Sequence, residues 1–245
     1  MSKKIILLAG PTASGKSKLA FLLAKKIGGE IINADSMQVY KEFSILSSRP
    51  GKKEIKKIRH HLYGFISVKK NFSTGDWLKE VKKKINRCHK DLKVPIIVGG
   101  TGLYFNAITR GISKIPSIDI QTRSKVRNLF LKLGHKDFYK KLLKIDPKVR
   151  NKILSTDSQR VQRAYEVILK TKKSLFDWTV DTKSDFLNYE LKKIFIDISR
   201  DELLKKIYSR TQTMFKNNCL DEVKRFNVLK LERSLSANKL IGIRE

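Results

Sequence analysis

The chain has 245 residues, of which 54 are Lys or Arg and 23 are Asp or Glu, for a formal net charge of +31. With 40% apolar and 9% aromatic residues it can build a real core, which excludes a disordered polycation. No apolar run approaches the roughly 20 residues of a spanning helix, and the short apolar start is too brief for an export signal, so a soluble cytoplasmic protein is expected. Cys88 and Cys219 make no disulfide framework and are expected as reduced thiols. A positive field of this size favours encounter with phosphate polymers and small phosphates, so nucleic acid is an expected partner, although a lysine-rich composition alone accounts for part of the charge.

Ile5 to Ala9 is a continuous apolar run, as in a buried parallel strand. A glycine loop follows, then a helical pattern with Leu19, Leu22, Leu23 and Ile27 on one side and a stop at Gly28-Gly29. Glu30 to Ala34 reads as a second strand. From Ser73, Trp77, Val81 and Ile85 predict an amphipathic helix, and Pro95 to Val98 a further strand ended by Gly99-Gly100. Residues 119–190 carry helical patterns instead, with Leu129 and Leu133, then Val161, Ala164 and Ile168. Strand character returns over Lys193–Ser199, and Ser199 with Glu202 forms a capping box before a helix carrying Leu203, Leu204, Ile207 and Met214. The expected architecture is a doubly wound α/β core with a parallel sheet, residues 1–118 and 191–245, interrupted by a small helical insertion domain at 119–190.

Gly10-Pro11-Thr12-Ala13-Ser14-Gly15-Lys16-Ser17 fits the phosphate-binding loop G-x-x-x-x-G-K-[ST], between a strand and a helix as that loop requires. Its backbone N–H groups would cradle a di- or triphosphate. Lys16 would reach the terminal phosphate, and the Ser17 hydroxyl would sit on Mg²⁺. Asp35, at the end of the second strand, stands where a doubly wound sheet opens its crevice; it suits a metal-side carboxylate, a general base or a simple cap. Gln38 and Tyr40 alternate as a wall against a planar substrate would. Gly99-Gly100-Thr101-Gly102 permits close backbone approach, with Thr101 able to donate into the crevice. No acidic residue ends that strand, which counts against an ATPase motor. Gln159, Arg160 and Arg163 share one side of a predicted helix, suited to phosphate or base edges or simply to solvent.

Gly10–Ser17, Asp35-Ser36-Met37-Gln38-Val39-Tyr40, His60-His61-Leu62, Pro95–Tyr104 and Asp157–Arg163 occur in this order. Together, over nearly the whole chain, they resemble the bacterial tRNA dimethylallyltransferase (tRNA isopentenyltransferase) family. The resemblance implies transfer of a dimethylallyl group from dimethylallyl diphosphate to N6 of the tRNA adenosine immediately 3′ of the anticodon; a monomer is the default expectation. It makes Asp35, Thr101 and Lys16 catalytic, and gives the diphosphate to Gly10, Thr12, Ala13, Ser14, Gly15, Lys16, Ser17 and Arg210. It assigns the tRNA anticodon stem-loop to Asp35, Ser36, Met37, Gln38, Thr101, Arg123, Gln159, Arg160, Val161, Gln162 and Arg163, with Mg²⁺ at Ser17. The chain departs from the family pattern at Ser47-Ser48-Arg49-Pro50, usually Thr-Ala-Lys-Pro, at Lys206, usually Arg, at Asn218, usually Gly, and at Ile243, usually Tyr. It stops at Glu245, where relatives continue through a basic helix. A P-loop kinase for a small metabolite explains Gly10–Ser17 but gives Gly99–Thr101 and Gln159–Arg163 no role. A tRNA-binding descendant without activity is the other alternative.

Overall fold

The computed structural model describes residues 3–232 and 235–243. In chain order its elements are β1 (Lys3–Ala9), α1 (Lys16–Ile27), β2 (Glu30–Asn33), α2 (Lys52–Lys57), β3 (His60–His61), α3 (Thr74–Lys90), β4 (Pro95–Gly99) and α4 (Gly102–Thr109). There follow α5 (Ile120–Ile145), α6 (Ser158–Thr171), β5 (Tyr189–Phe195), α7 (Arg200–Lys216) and α8 (Cys219–Val228). The strands form one five-stranded sheet in the order β3-β2-β4-β1-β5, every pair parallel. No helix among the described residues is long and apolar enough to cross a membrane.

Alternation along the strands splits the core into two layers. Ile5, Leu7, Ile32, Ala34 and Ile97 pack with Trp77, Val81 and Ile85 of α3 and Tyr104 and Ile108 of α4. Ile6, Leu8, Ile31, Ile96 and Val98 face the other way, onto Ala20 and Ala24 of α1. Helices therefore cover both faces, which is the doubly wound arrangement. α3 begins where Ser73 and Asp76 cap each other's backbone amides, and its Trp77 ring stacks on Tyr104 with centroids 4.0 Å apart.

Two expectations are corrected. α1 does not bury a leucine stripe: Leu19 and Leu22 are exposed, and the small Ala20 and Ala24 meet the sheet, with Leu23 half-buried beside them. The returning strand runs from Tyr189 to Phe195 instead of over Lys193–Ser199, because pairing with β1 from Lys3↔Tyr189 to Ala9↔Phe195 sets its register. Only the Ile196 amide continues the ladder, onto the Ala9 carbonyl. The helix-initiating role of Ser199 holds, since its hydroxyl accepts from the Glu202 amide, while the Glu202 carboxylate pairs with Lys206 at 2.7 Å.

Contacts divide the chain into one unit of Met1–Thr109 with Asp185–Glu245, carrying the whole sheet, and a second of Arg110–Ser184. The second is helical. α5 starts at Asp119, which accepts from the Thr122 amide, and is broken at Gly134, where φ is 69°. Val126, Phe138, Leu142, Val149, Ile153, Val161, Ala164 and Tyr165 form its core. Val161 is thus a packing residue with no exposed surface, and its side chain is not available to RNA as the resemblance implied. On the outer side of α6, Gln159 and Arg160 are exposed, while Gln162 and Arg163 are half-buried. Arg163 pairs with Glu166 at 3.2 Å, and Arg123 is exposed in the first turn of α5.

Candidate active site

The loop between β1 and α1 wraps on itself because two of its residues take left-handed backbone, Ala13 (φ 58°) and Gly15 (φ 88°). A side chain at Gly10 would meet Ser14 Oγ at 2.8 Å, so the first glycine is needed for close approach across the loop. Ser14 Oγ is buried without a hydrogen-bond partner among the described residues, an orphan polar atom inside an anion-binding loop. Lys16 Nζ donates to the Pro11 carbonyl at 2.9 Å. Burial pulls the Lys16 pKa down, the Asp35 charge opposes this, and the Arg210 charge adds to it. Arg210 crosses from α7 and donates to Thr12 Oγ1 at 2.9 Å.

Asp35 stands immediately beyond β2 and is held from three directions. Its amide donates to Asn33 Oδ1 and its carbonyl accepts from Asn33 Nδ2, both at 2.9 Å. Asn33 is itself fully buried, accepting at its carbonyl from Trp77 Nε1 at 2.8 Å. Asp35 Oδ1 accepts from the amides of Met37 at 2.9 Å and Gln38 at 3.4 Å, a local cap. Oδ2 has no hydrogen-bond partner among the described residues. The cap and the reactive reading are therefore compatible, one oxygen serving each. Thr101 fixes the next residue: its hydroxyl accepts from the Ser36 amide at 2.9 Å and donates to Ser36 Oγ at 3.3 Å. Burial and the nearby Asp35 charge raise the pKa values of the Tyr63 and Tyr104 phenols, keeping both neutral.

Two clefts meet here. The first, about 530 Å³, is lined by Thr12 to Ser17, Asp35, Gln38, Ser48 and the α7 residues Glu202, Lys206 and Arg210 among others. The second, about 800 Å³, shares Thr12, Lys16, Asp35 and Arg210 with it and includes Gly10 and Thr101. Its far walls are apolar: Met37, Leu46, Met214, Phe215, Leu220, Val223, Leu240 and Ile241. A polar slot for charge thus opens into an apolar one, with Asp35 and Lys16 at the junction.

Among the predicted residues, Gly10, Thr12 to Ser17, Asp35, Met37, Gln38, Thr101 and Arg210 line these clefts, and Ser36 sits behind them on Thr101. Arg123 and Gln159–Arg163 belong to the helical unit described above. Tyr40 is not a cleft wall; it is 1% exposed and packs with Val39 and Phe43. Asn218 takes the left-handed conformation (φ 60°) that a glycine would otherwise supply. The apolar lining and the buried Glu222 escape sequence reading. Leu220 and Val223 look like ordinary amphipathic helix, and a lone glutamate in such a helix reads as solvated.

The remaining cluster of possible metal ligands, Glu30, His61 and Cys88, is buried where β2 begins, the end of that strand away from Asp35. His61 Nε2 lies 2.5 Å from Glu30 Oε2, and Cys88 Sγ donates to the same oxygen at 3.6 Å. In this arrangement the three side chains form a buried hydrogen-bond network. Burial and the Glu30 carboxylate push the Cys88 thiol up to about 12.

Strand, left-handed glycine loop, helix N-terminus and crevice carboxylate define a P-loop α/β protein whose polar cleft opens into an apolar one. The family model described as IPP transferase matches residues 38–245. The tRNA dimethylallyltransferase of Pelagibacter ubique is 52% identical over 242 residues, covering 99% of this chain and 77% of that protein. The tRNA dimethylallyltransferase of Rickettsia massiliae is 41% identical over 244 residues, 99% of this chain and 67% of that one. Among solved structures, the tRNA isopentenylpyrophosphate transferase of Bacillus halodurans matches with a TM-score of 0.65 at 30% identity, over 99% of this chain and 75% of that chain. A eukaryotic dimethylallyltransferase acting on tRNA matches with a TM-score of 0.79 at 28% identity, over 98% of this chain and 58% of its own. The chain belongs to the IPP transferase family.

Proposed function

We propose that this protein transfers a dimethylallyl group from dimethylallyl diphosphate to N6 of the tRNA adenosine 3′-adjacent to the anticodon, releasing diphosphate. The junction of the polar and apolar clefts carries this conclusion: it has a place for a diphosphate, a place for a short hydrocarbon and a carboxylate between them. An acceptor cleft with so much apolar wall does not suit a kinase handing phosphate to a polar metabolite.

The loop amides, Ser14 Oγ, Lys16 and Arg210 would hold the diphosphate, and the apolar walls would direct the dimethylallyl tail away from water. As the adenine N6–C1 bond forms and the C1–oxygen bond to diphosphate breaks, Asp35 Oδ2 would take the proton released from N6. Lys16 and Arg210 would stabilise the charge that grows on the leaving oxygen. Thr101, by holding Ser36, keeps Asp35 from swinging out of line. The adenosine must leave its stack to enter the cleft, as base-modifying chemistry requires. Asp35, Ser36, Met37, Gln38 and Thr101 would receive it, and Arg123, Gln159, Arg160, Gln162 and Arg163 would contact the tRNA from the helical unit.

Hard oxygen donors, the Ser17 hydroxyl with Asp35 and Glu202, line the polar cleft and fit Mg²⁺. Ser17 would hold the ion, whose contribution when bound is to neutralise diphosphate charge.

The test is a transfer assay with radiolabelled dimethylallyl diphosphate, Mg²⁺ and unmodified tRNA, with Lys16→Ala as control. Label in the tRNA, lost in the control, is the expected result. tRNA binding without transfer would turn the conclusion toward a binding protein, and ATP turnover with a small acceptor toward a kinase.

A further inference from the structure

Glu222 lies in α8 and is 3% exposed; the Arg49 charge acts on it, but its hydrogen bonds go to one short segment. Its carboxylate is consumed by backbone. Oε1 accepts from the Ser44 amide at 2.9 Å, the Ser44 hydroxyl at 2.8 Å and the Ile45 amide at 2.9 Å. Oε2 accepts from the amides of Ile45 at 3.1 Å and Leu46 at 3.0 Å. A buried carboxylate bound by three successive amides is an organising centre for the segment that supplies them.

That segment leads straight to the site. Leu46 and Ser47 line the apolar cleft and Ser48 the polar one. The carbonyls of Ser47 and Ser48 accept from Gln38 Nε2 at 2.8 and 3.3 Å. With its amide nitrogen so engaged, Gln38 keeps its side-chain oxygen as the end free to accept from a substrate N–H. The Gln38 backbone amide meanwhile reaches Asp35 Oδ1. α8 also carries Leu220 and Val223 on the apolar wall. One carboxylate therefore ties the wall, the lip at 46–48 and the Gln38 carboxamide into a single frame.

We infer that Glu222 is a positioning residue for prenyl transfer: by pinning residues 44–46 it sets the Ser47 and Ser48 carbonyls, which hold the Gln38 carboxamide with its oxygen toward the acceptor amine. This rests on the transferase reading above. It predicts that Glu222 acts on the acceptor side of the reaction and through Gln38.

The experiment is a double-mutant cycle of Glu222→Gln and Gln38→Ala in the full chain. The readouts are kcat/KM for tRNA, KM for dimethylallyl diphosphate, and the Gln38 side-chain NH₂ signals by NMR, assigned by their loss in Gln38→Ala. Glu222→Gln should lower kcat/KM for tRNA roughly ten- to a hundredfold, leave KM for the diphosphate within about twofold, and collapse the distinct Gln38 NH₂ pair toward free-amide positions. In the Gln38→Ala background the same substitution should cost less than about threefold. Equal losses in both backgrounds, or an unchanged Gln38 NH₂ pair, would overturn the inference. If Glu222→Gln does not fold, Ser44→Ala removes one of the same bonds and should give a smaller loss in the same direction, about two- to fivefold; no loss there would overturn it too. A wild-type chain that transfers nothing refutes the transferase reading, whereas the NMR signals judge the Glu222–Gln38 linkage separately.

Discussion

The Thr101 hydroxyl accepts a hydrogen bond from the Ser36 backbone amide at 2.9 Å, so the loop after β4 holds in place the loop after β2 that presents Asp35. The two loops begin on neighbouring parallel strands, which is why residues 65 positions apart can meet at one end of the sheet. Thr101→Val keeps the shape and removes both the acceptor and the donor. Transfer should fall about tenfold or more while the thermal midpoint moves by only a few degrees. Steady-state kinetics beside a melting curve decide this, and a loss of activity that merely tracks unfolding would count against the positioning role.

Asp35→Ala should abolish transfer yet leave tRNA binding within a few-fold, since Oδ2 has no internal partner and its removal disturbs little beyond the turn cap. Filter binding of tRNA alongside single-turnover transfer separates the two effects. A large loss of tRNA affinity would move Asp35 from proton transfer to recognition.

The two clefts predict that the two ends of the donor substrate can be weakened independently. Lys16→Ala should weaken inhibition by inorganic diphosphate roughly ten- to a hundredfold, the range expected for losing a charge-assisted contact. Val223→Phe, which narrows the apolar wall, should raise KM for dimethylallyl diphosphate while inhibition by inorganic diphosphate stays near its original value. Parallel changes in both constants for Val223→Phe would show that this wall does not receive the hydrocarbon.

Gly99 ends β4 against the backbone of Ala34, and a Cβ there would fall 2.1 Å from the Ala34 carbonyl oxygen. Gly99→Ala must therefore separate β4 from the segment leading to Asp35, at a cost of about 1–3 kcal/mol or more. Chemical denaturation should show the lower midpoint, and an unchanged midpoint would mean that the two backbones separate freely.

Burial opposes the charge on Glu222, yet its bonds to the Ile45, Leu46 and Ser44 amides and the Ser44 hydroxyl hold its carboxyl below the usual carboxylate range. A folded-state pKa below the unfolded value of about 4.3 adds stability above that pH, and this stability disappears as the pH falls through the folded value. With Arg49 the nearby cation, the gap in melting temperature between wild type and Glu222→Gln should be steady from neutral pH to about 5 and narrow progressively once the pH falls below the unfolded value. A gap that persists into strong acid would point to packing, not charge.

The phosphate loop, the parallel core, the α3 helix and the crevice position of Asp35 are legible in the residues, because each depends on local features. Glycine spacing, strand alternation and the Ser73 cap act within a few positions of themselves. The same locality explains the errors. The leucines of α1 make a convincing stripe, but the close approach of helix to sheet selects Ala20 and Ala24. Strand character over Lys193–Ser199 comes from Ile194, Ile196 and Ile198, which alternate, but the pairing register with β1 fixes the strand at Tyr189–Phe195.

By itself, then, the sequence determined the motifs, a phosphate-binding loop with Lys16 between a strand and a helix and a carboxylate, Asp35, at a strand end, while Arg210 and the choice of a diphosphate came from the family resemblance. The tertiary structure alone decided which residues surround these motifs. The apolar cleft is assembled from Met37, Leu46, Met214, Val223 and Leu240, far apart in the chain, and the service of Glu222 to a loop 176 to 178 residues away has no local signature. Burial and hydrogen bonding between distant segments are properties of the fold, and no periodicity along the chain encodes them.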